Sequence, residues 1–359
     1  MRDTIHPRPN PIIAALYTVR DLEVDVAVIH GPAGCGFMAS RMIEDAGVRV
    51  VTTSMRDSDL IFGASEPLIS TLRKVKEKFD PKTVAVIGSC ASMIIGEDME
   101  AAIGRADISC NVFPIDCHGC MGDNTRGAIR AMEAAAKAGI VPREEAERQK
   151  SLFKAATRME KDVGMASRDY LKPAKGATKH GIAKRIIKAL KNGKKVAVVM
   201  VGKKELAYRF ADIFLAVEEA RSKLGGETLY VGNLNPDLGL PRIRRYAKDI
   251  LAELGEAGIS PKISGGLDEY PLCGAKSKEL VDEFGPDLLV VAGIPHAYPE
   301  LSPDNVLITD QPRQLANYLD SGLGLAVGEI SSHALVMNVR SIVPLETGDT
   351  IREMLAEAG

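Results

Sequence analysis

Short apolar runs rich in valine and isoleucine recur along the chain, each followed by a stretch with helical spacing. In the first half they are "VDVAVIH" (24–30), "VRVVTTS" (48–54), "TVAVIGS" (83–89) and "ISCNVFPID" (108–116). Near-continuous runs of this length suit strands buried on both faces of a parallel sheet, with the helical stretches as crossovers. After "GDNT", the spacing of Ile129, Met132 and Ala136 predicts a helix with one apolar stripe. Residues 142–165 read as one charged amphipathic helix, and the turn-rich "LKPAKGATKHG" (171–181) reads as a domain boundary.

The alternation then resumes with "KKVAVVMVG" (194–202), "ETLYVGNL" (227–234) and "PKISGGL" (261–267). A further group follows: "DLLVVAGI" (287–294), "NVLITD" (305–310), "GLAVGEI" (324–330) and "SIVPLE" (341–346). Three groups of strands with crossover helices predict an α/β protein of three doubly wound, Rossmann-like lobes with parallel sheets. Their expected bounds are 1–165, 180–275 and 276–359, the C-terminal segment being free to pack on another lobe.

Composition narrows the partners. Lys and Arg number 46 against 48 Asp and Glu, a net charge of −2, so no long-range field attracts nucleic acid. No basic stretch is interleaved with aromatics for bases to stack on. The N-terminus lacks the layout of a signal peptide, and no apolar run approaches the ~18 residues that span a bilayer. The expectation is a cytoplasmic protein with neither nucleic acid nor membrane as partner, whose thiols stay reduced. Its six cysteines (35, 90, 110, 117, 120 and 273) then read as ligands, reactive thiols or buried fillers, not disulfides.

One of them sits in "HGPAGCGFMAS" (30–40). Gly31 and Gly36 match the opening of a phosphate-binding loop, but Phe37 and Met38 stand where lysine and a hydroxyl belong. The loop carries Cys35 instead. Cys90 shares its setting: each cysteine follows a predicted buried strand, among small neighbours, at the strand end where open α/β sheets bind ligands. Paired thiols there suit a soft metal centre. A lone loop cysteine is more often buried filler, and on spacing alone both readings stand.

"HGPAGCGF" together with "CASMIIGEDME" resembles the nitrogenase component 1 type oxidoreductases. That family carries H-G-P-x-G-C after its first strand and I-G-D-D after a second cluster cysteine, here Ile95-Gly96-Glu97-Asp98. "CHGCMGDNT" (117–125) is a looser echo of the family's C-E-G-F-x-G loop. These motifs lie in the first lobe; the rest of the chain is similar by organisation only.

The resemblance implies that Cys35 and Cys90 ligate an iron–sulfur cluster. Residues 1–34 lack the further cysteine that nitrogenase subunits bear, so one chain offers two thiolates where a 4Fe-4S cluster wants four. A cluster shared across a homodimer meets that need. Within the family, a short two-cysteine chain is most similar to the archaeal members that make the nickel tetrapyrrole of methanogenesis. The implied activity is reduction of the Ni-sirohydrochlorin a,c-diamide ring with γ-lactam closure to seco-F-430, in coenzyme F-430 biosynthesis. Nickel enters only as part of that substrate, and electrons come from a separate nitrogenase-reductase-like iron–sulfur ATPase. The alternatives are a nitrogenase-like reductase for another tetrapyrrole or a thioether, a non-catalytic cluster scaffold, and a small-molecule binding protein with incidental cysteines.

Ring reduction needs protons, and three residues are candidate donors. His118 lies in "DCHGC", Asp123 in "GDNT" and His296 in "GIPHAYP" after a predicted strand. Each also has a plain structural reading: a turn, a helix cap and a hydrogen-bonded loop histidine. Lys203, Lys204, Arg242, Arg244 and Arg245 read as solvated faces, and Cys110 and Cys273 as core.

Overall fold

A computed structural model describes residues 10–162, 177–329 and 333–357. The chain divides into two compact units, Met1–Lys154 and Ala155–Gly359. The division falls within the long helix Arg143–Asp162, whereas most of the turn-rich stretch 171–181 lies outside the described residues.

The first unit is built on β1 (Val26–Ile29), β2 (Arg49–Thr52), β3 (Thr83–Ile87) and β4 (Asn111–Ile115). They form one parallel sheet in the order β2-β1-β3-β4. All four residues of β1 are buried, as a strand covered on both faces requires. Val26, Val28, Val84 and Val86 pack with Leu68, Leu72 and Val75 of the helix Ser65–Phe79. Each such side chain contributes about 1.5–3 kcal/mol on burial. The helix Asn124–Lys137 lies against the helix Pro11–Asp21 so closely that a Cβ on Gly127 would stand 1.9 Å from the Pro11 carbonyl oxygen. Its buried face runs through Ala128, Ala131, Met132 and Ala135, a slight rotation from the expected stripe that leaves Ile129 and Ala136 half-buried.

The second unit holds β5 (Lys195–Val201), β6 (Glu227–Gly232), β7 (Lys262–Ile263), β8 (Leu288–Gly293), β9 (Val306–Thr309) and β10 (Leu325–Gly328). The class is α/β with parallel strands, as expected, but the lobe count differs. The strands assigned to separate second and third lobes share one sheet, β10-β9-β8-β5-β6-β7. The junction is β5 against β8, in register from Val196↔Leu288 to Val201↔Gly293. A strand as buried as β5 must pair its backbone on both edges; β6 closes one and β8 the other. The break expected near residue 276 is therefore not a boundary between sheets.

"SIVPLE" is also not a strand. Pro344 has no N–H to give to a ladder, and its neighbours find other partners. Ile342 N donates to Glu253 Oε2 (2.7 Å), Val343 N to the Tyr208 carbonyl (2.9 Å) and Leu345 N to Asp212 Oδ2 (2.8 Å). The helix Glu346–Glu357 follows at once. No helix among the described residues is long and apolar enough to cross a membrane.

Candidate metal centre

In the first unit the crossovers leave β1 and β3 in opposite directions, so the adjacent ends of these strands form the crevice where open α/β sheets take ligands. Cys35 ends the short turn Ala33–Cys35 after β1, and Cys90 opens the helix Cys90–Ile94 after β3. Both are half-buried, and all six cysteines are free thiols.

Hydrogen bonds fix the two loops to each other. His30 N donates to the Ile87 carbonyl (2.8 Å), and the buried Ser89 hydroxyl donates to the His30 carbonyl (2.8 Å). Ser89 also caps the Cys90–Ile94 helix, and Gly31 N donates to Thr53 Oγ1 (3.0 Å). A Cβ on Gly31 would lie 2.4 Å from Ser89 Oγ and 2.7 Å from Ser89 Cβ, so only glycine lets the loops meet. The glycine of H-G-P-x-G-C thus sets the approach of two strand ends. His30 is fully buried, with Nδ1 3.2 Å from Thr53 Oγ1, and burial lowers its pKa to about 4, so it is a neutral imidazole. Its role in joining the loops was missed in the sequence, although it opens the motif.

The second landmark is structural too. Glu97 accepts from Ala64 N (2.8 Å) and from the Ser65 hydroxyl, and Asp98 caps the helix Met99–Ala106 through Ala101 N (2.9 Å). These contacts hold the chain that leaves Cys90.

The third loop brings sulfur that sequence reasoning left as an unmatched half-site. Cys120 Sγ stands 3.7 Å from Cys90 Sγ. Ligand atoms of Cys90, His118 and Cys120 all lie within 4.8 Å of one another. A Cβ on Gly119 would be 3.3 Å from Cys90 Sγ, so this turn rests on the thiol. Burial, then the neighbouring Cys90, raises the Cys35 pKa; the hydrogen bond to Cys90 is the main cause raising that of Cys120. Crowded thiolates repel, and a cation among them reverses that penalty. Cys117 is buried, and burial, then Asp116, pushes its thiol up to about 12. Cys273 is likewise buried and is core; Cys110 is only partly buried and packs at the edge of the first unit's core.

His118 is half-buried and its Nδ1 finds no hydrogen-bond partner among the described residues. Asp123 is exposed and caps the helix Asn124–Lys137, accepting from Arg126 N (3.3 Å).

His296 belongs to the second unit, in the turn Pro295–Ala297 after β8. It stacks on Tyr270 with centroids 6.0 Å apart, and burial lowers its pKa. Both ring nitrogens are buried without a hydrogen-bond partner among the described residues, unlike the bonded loop histidine of the plain reading. β5 and β8 are the strands at which this sheet reverses, so His296 lies at the second unit's own crevice. Lys203 and Lys204 lie there too, and the solvated-face reading fails for both. Lys203 Nζ is 2.6 Å and Lys204 Nζ 2.7 Å from a Glu269 carboxylate that is 24% exposed. Arg242 is buried as well, while Arg244 and Arg245 are half-buried. Short-range sequence patterns do not reveal such pairing, because Glu269 is distant along the chain.

The family pattern of the nitrogenase component 1 type oxidoreductases matches residues 10–163. Component CfbD of the Ni-sirohydrochlorin a,c-diamide reductive cyclase complex of Methanothermobacter thermautotrophicus is 46% identical over 353 residues, covering 97% of this chain and 98% of that protein. The protein of that name from Methanosarcina acetivorans is 43% identical over 362 residues, covering 99% and 98%. Among solved structures, nitrogenase Cp1 at pH 6.5 aligns over 100% of this chain and 95% of that one, at 13% identity and a TM-score of 0.35.

Proposed function

Because this chain belongs to the family of component CfbD of the Ni-sirohydrochlorin a,c-diamide reductive cyclase complex, within the nitrogenase component 1 type oxidoreductases, we propose that it is the catalytic component of that reductive cyclase. It reduces the Ni-sirohydrochlorin a,c-diamide macrocycle and closes the γ-lactam to give seco-F-430. Identity of 46% across nearly the whole of both chains is the observation that carries this reading. Electrons come from a separate iron–sulfur ATPase, and nickel arrives within the substrate.

A 4Fe-4S cluster shared by two copies of the chain fits the residues at the β1–β3 crevice. Cys35 and Cys90 of each copy would hold it, four thiolates in all. Two observations support the fit: the thiols are free and half-buried at adjacent strand ends, and their loops are fastened by Ser89 and Gly31. When bound, such a cluster supplies one-electron transfer.

Proton supply falls to the chain's own side chains. Among the described residues, one ring nitrogen of His118 beside the thiols and both of His296 have no hydrogen-bond partner, so each side chain can present a proton to a group that enters its crevice. Asp123 is the third candidate donor, but its carboxylate already serves a helix cap.

The test is anaerobic incubation of the chain with its partner ATPase, ATP and Ni-sirohydrochlorin a,c-diamide. Consumption of the ring spectrum, dependent on all components, is expected. Turnover of a different tetrapyrrole in its place would overturn the substrate assignment.

A further inference from the structure

The Cys90–Cys120 separation does not suit two corners of one cubane, whose thiolates point outward from different irons and stand farther apart. It suits a single metal ion. Two thiolates about 2.3 Å from one metal at a tetrahedral angle stand about 3.8 Å apart, and the observed distance is 3.7 Å. His118 supplies an imidazole nitrogen in the same group. Its buried Nδ1 lacks any hydrogen-bond partner among the described residues, as a nitrogen awaiting a metal or a fixed partner would. Cys120 is exposed, which gives an ion a way in. Two sulfurs, one nitrogen and an open fourth position form the donor set of zinc and of tetrahedral cobalt or ferrous iron.

We propose that the cluster-free chain binds one thiophilic divalent cation through Cys90, Cys120 and His118. On binding, both thiols lose their protons to solvent, so affinity rises with pH. Cys90 belongs to this site and to the proposed cluster, so a chain holds one or the other. The mononuclear site does not use Cys35 and the cluster does not use Cys120, which makes the two assignments separable.

The experiment titrates the full-length, cluster-free protein with Co(II) and follows the cobalt–thiolate charge-transfer band, then displaces cobalt with Zn(II). One equivalent per chain is expected. Cys120→Ala and His118→Ala should each weaken binding by at least about 10–100-fold, the loss already incurred when a ligand merely loses its supporting partner. Cys120 is exposed, so its truncation opens no core. Cys35→Ala should bind cobalt as tightly as the wild type while failing to assemble a cluster. Cobalt binding that survives Cys120→Ala, or is abolished by Cys35→Ala, would overturn the mononuclear site and leave the cluster assignment standing. A wild-type chain that never takes up iron and sulfide, yet binds cobalt through these three residues, would do the reverse.

Discussion

The two units use the same topological device and furnish it with opposite chemistry. In the first, the crevice between β1 and β3 is lined by Cys35, Cys90 and Cys120 and carries two imidazole nitrogens, His30 Nε2 and His118 Nδ1, without a hydrogen-bond partner among the described residues. In the second, the crevice between β5 and β8 is lined by Lys203, Lys204, Glu269, Tyr270 and His296. The loops are even fastened alike. Ser89 and Thr53 join the strand ends of the first unit, and Asn233 does so in the second, donating to the carbonyls of Gly202 (2.7 Å) and Gly266 (2.8 Å). A close approach demands glycine in both: Gly31 in one, and in the other Gly293, at φ 117°, where a Cβ would stand 2.1 Å from the Val201 carbonyl oxygen. Topology therefore fixes where the chemistry sits, and a few loop residues decide what it is. Soft sulfur suits electron relay; nitrogen and fixed charge suit protons and an acidic ring substituent.

The largest effect should come from the sulfur side. Cys35→Ala or Cys90→Ala is expected to abolish bound iron and ring reduction with little change in far-ultraviolet circular dichroism. Iron analysis of anaerobically purified protein checks it, and a cluster that survives both changes defeats the ligand assignment.

The nitrogen side should answer in stability. Burial pushes the Glu269 carboxyl up, but Lys203 and Lys204 outweigh burial and hold it well below the usual carboxylate range. Glu269→Gln strips both ammonium groups of this partner and should cost on the order of 3 kcal/mol in urea unfolding. Because the folded state depresses this carboxyl, its stabilisation is complete above the unfolded carboxylate pKa of about 4.3 and fades as pH falls below it. Wild-type stability should decline between about pH 5 and pH 3, and Glu269→Gln should show a smaller decline. Equal slopes for the two proteins would show that the triad does not hold the carboxyl down.

Legibility in the sequence also divides between the two regions. Cys35 and Cys90 sit on loops that follow apolar runs, so their placement at strand ends could be read from local pattern, whereas the adjacency of those two strands could not. Cys120 was visible only as half of a C-x-x-C, because its partner, Cys90, comes from another strand end. In the second unit the strands were legible but their grouping was not: whether β8 starts a new sheet or joins β5 depends on long-range pairing that no local run encodes. Lys203 and Lys204 looked like a solvated pair for the same reason, Glu269 being remote in sequence. "SIVPLE" had a strand's composition, and Pro344 together with side-chain acceptors on other elements overrode it.

A smaller effect probes how tightly the first crevice is built. Gly31→Ala drives a methyl group into Ser89, whose hydroxyl is already committed to the His30 carbonyl. Overpacking of this kind costs about 1–3 kcal/mol and should spread the two cysteine loops, lowering iron content along with stability. Gly34→Ala in the same loop meets nothing within 4 Å and should be close to neutral in both. If the two variants behaved alike, the close approach of the loops would not be what positions Cys35.

The smallest effect decides whether Asp123 adds to the proton supply that His118 offers at the first crevice. Asp123→Ala removes the cap of the Asn124–Lys137 helix and should cost about 1 kcal/mol. Asparagine accepts the Arg126 N–H equally well, so Asp123→Asn should restore that stability. It cannot pass on a carboxyl proton, and loss of a positioned donor lowers a rate by about 10²–10⁴-fold. With the carboxylate engaged as a cap, Asp123→Asn is expected to turn over within a few-fold of the wild type, at wild-type stability. A hundred-fold slower ring reduction by a fully stable Asp123→Asn protein would instead make Asp123 a proton donor as well as a helix cap, and the comparison would then need two donors in the first unit.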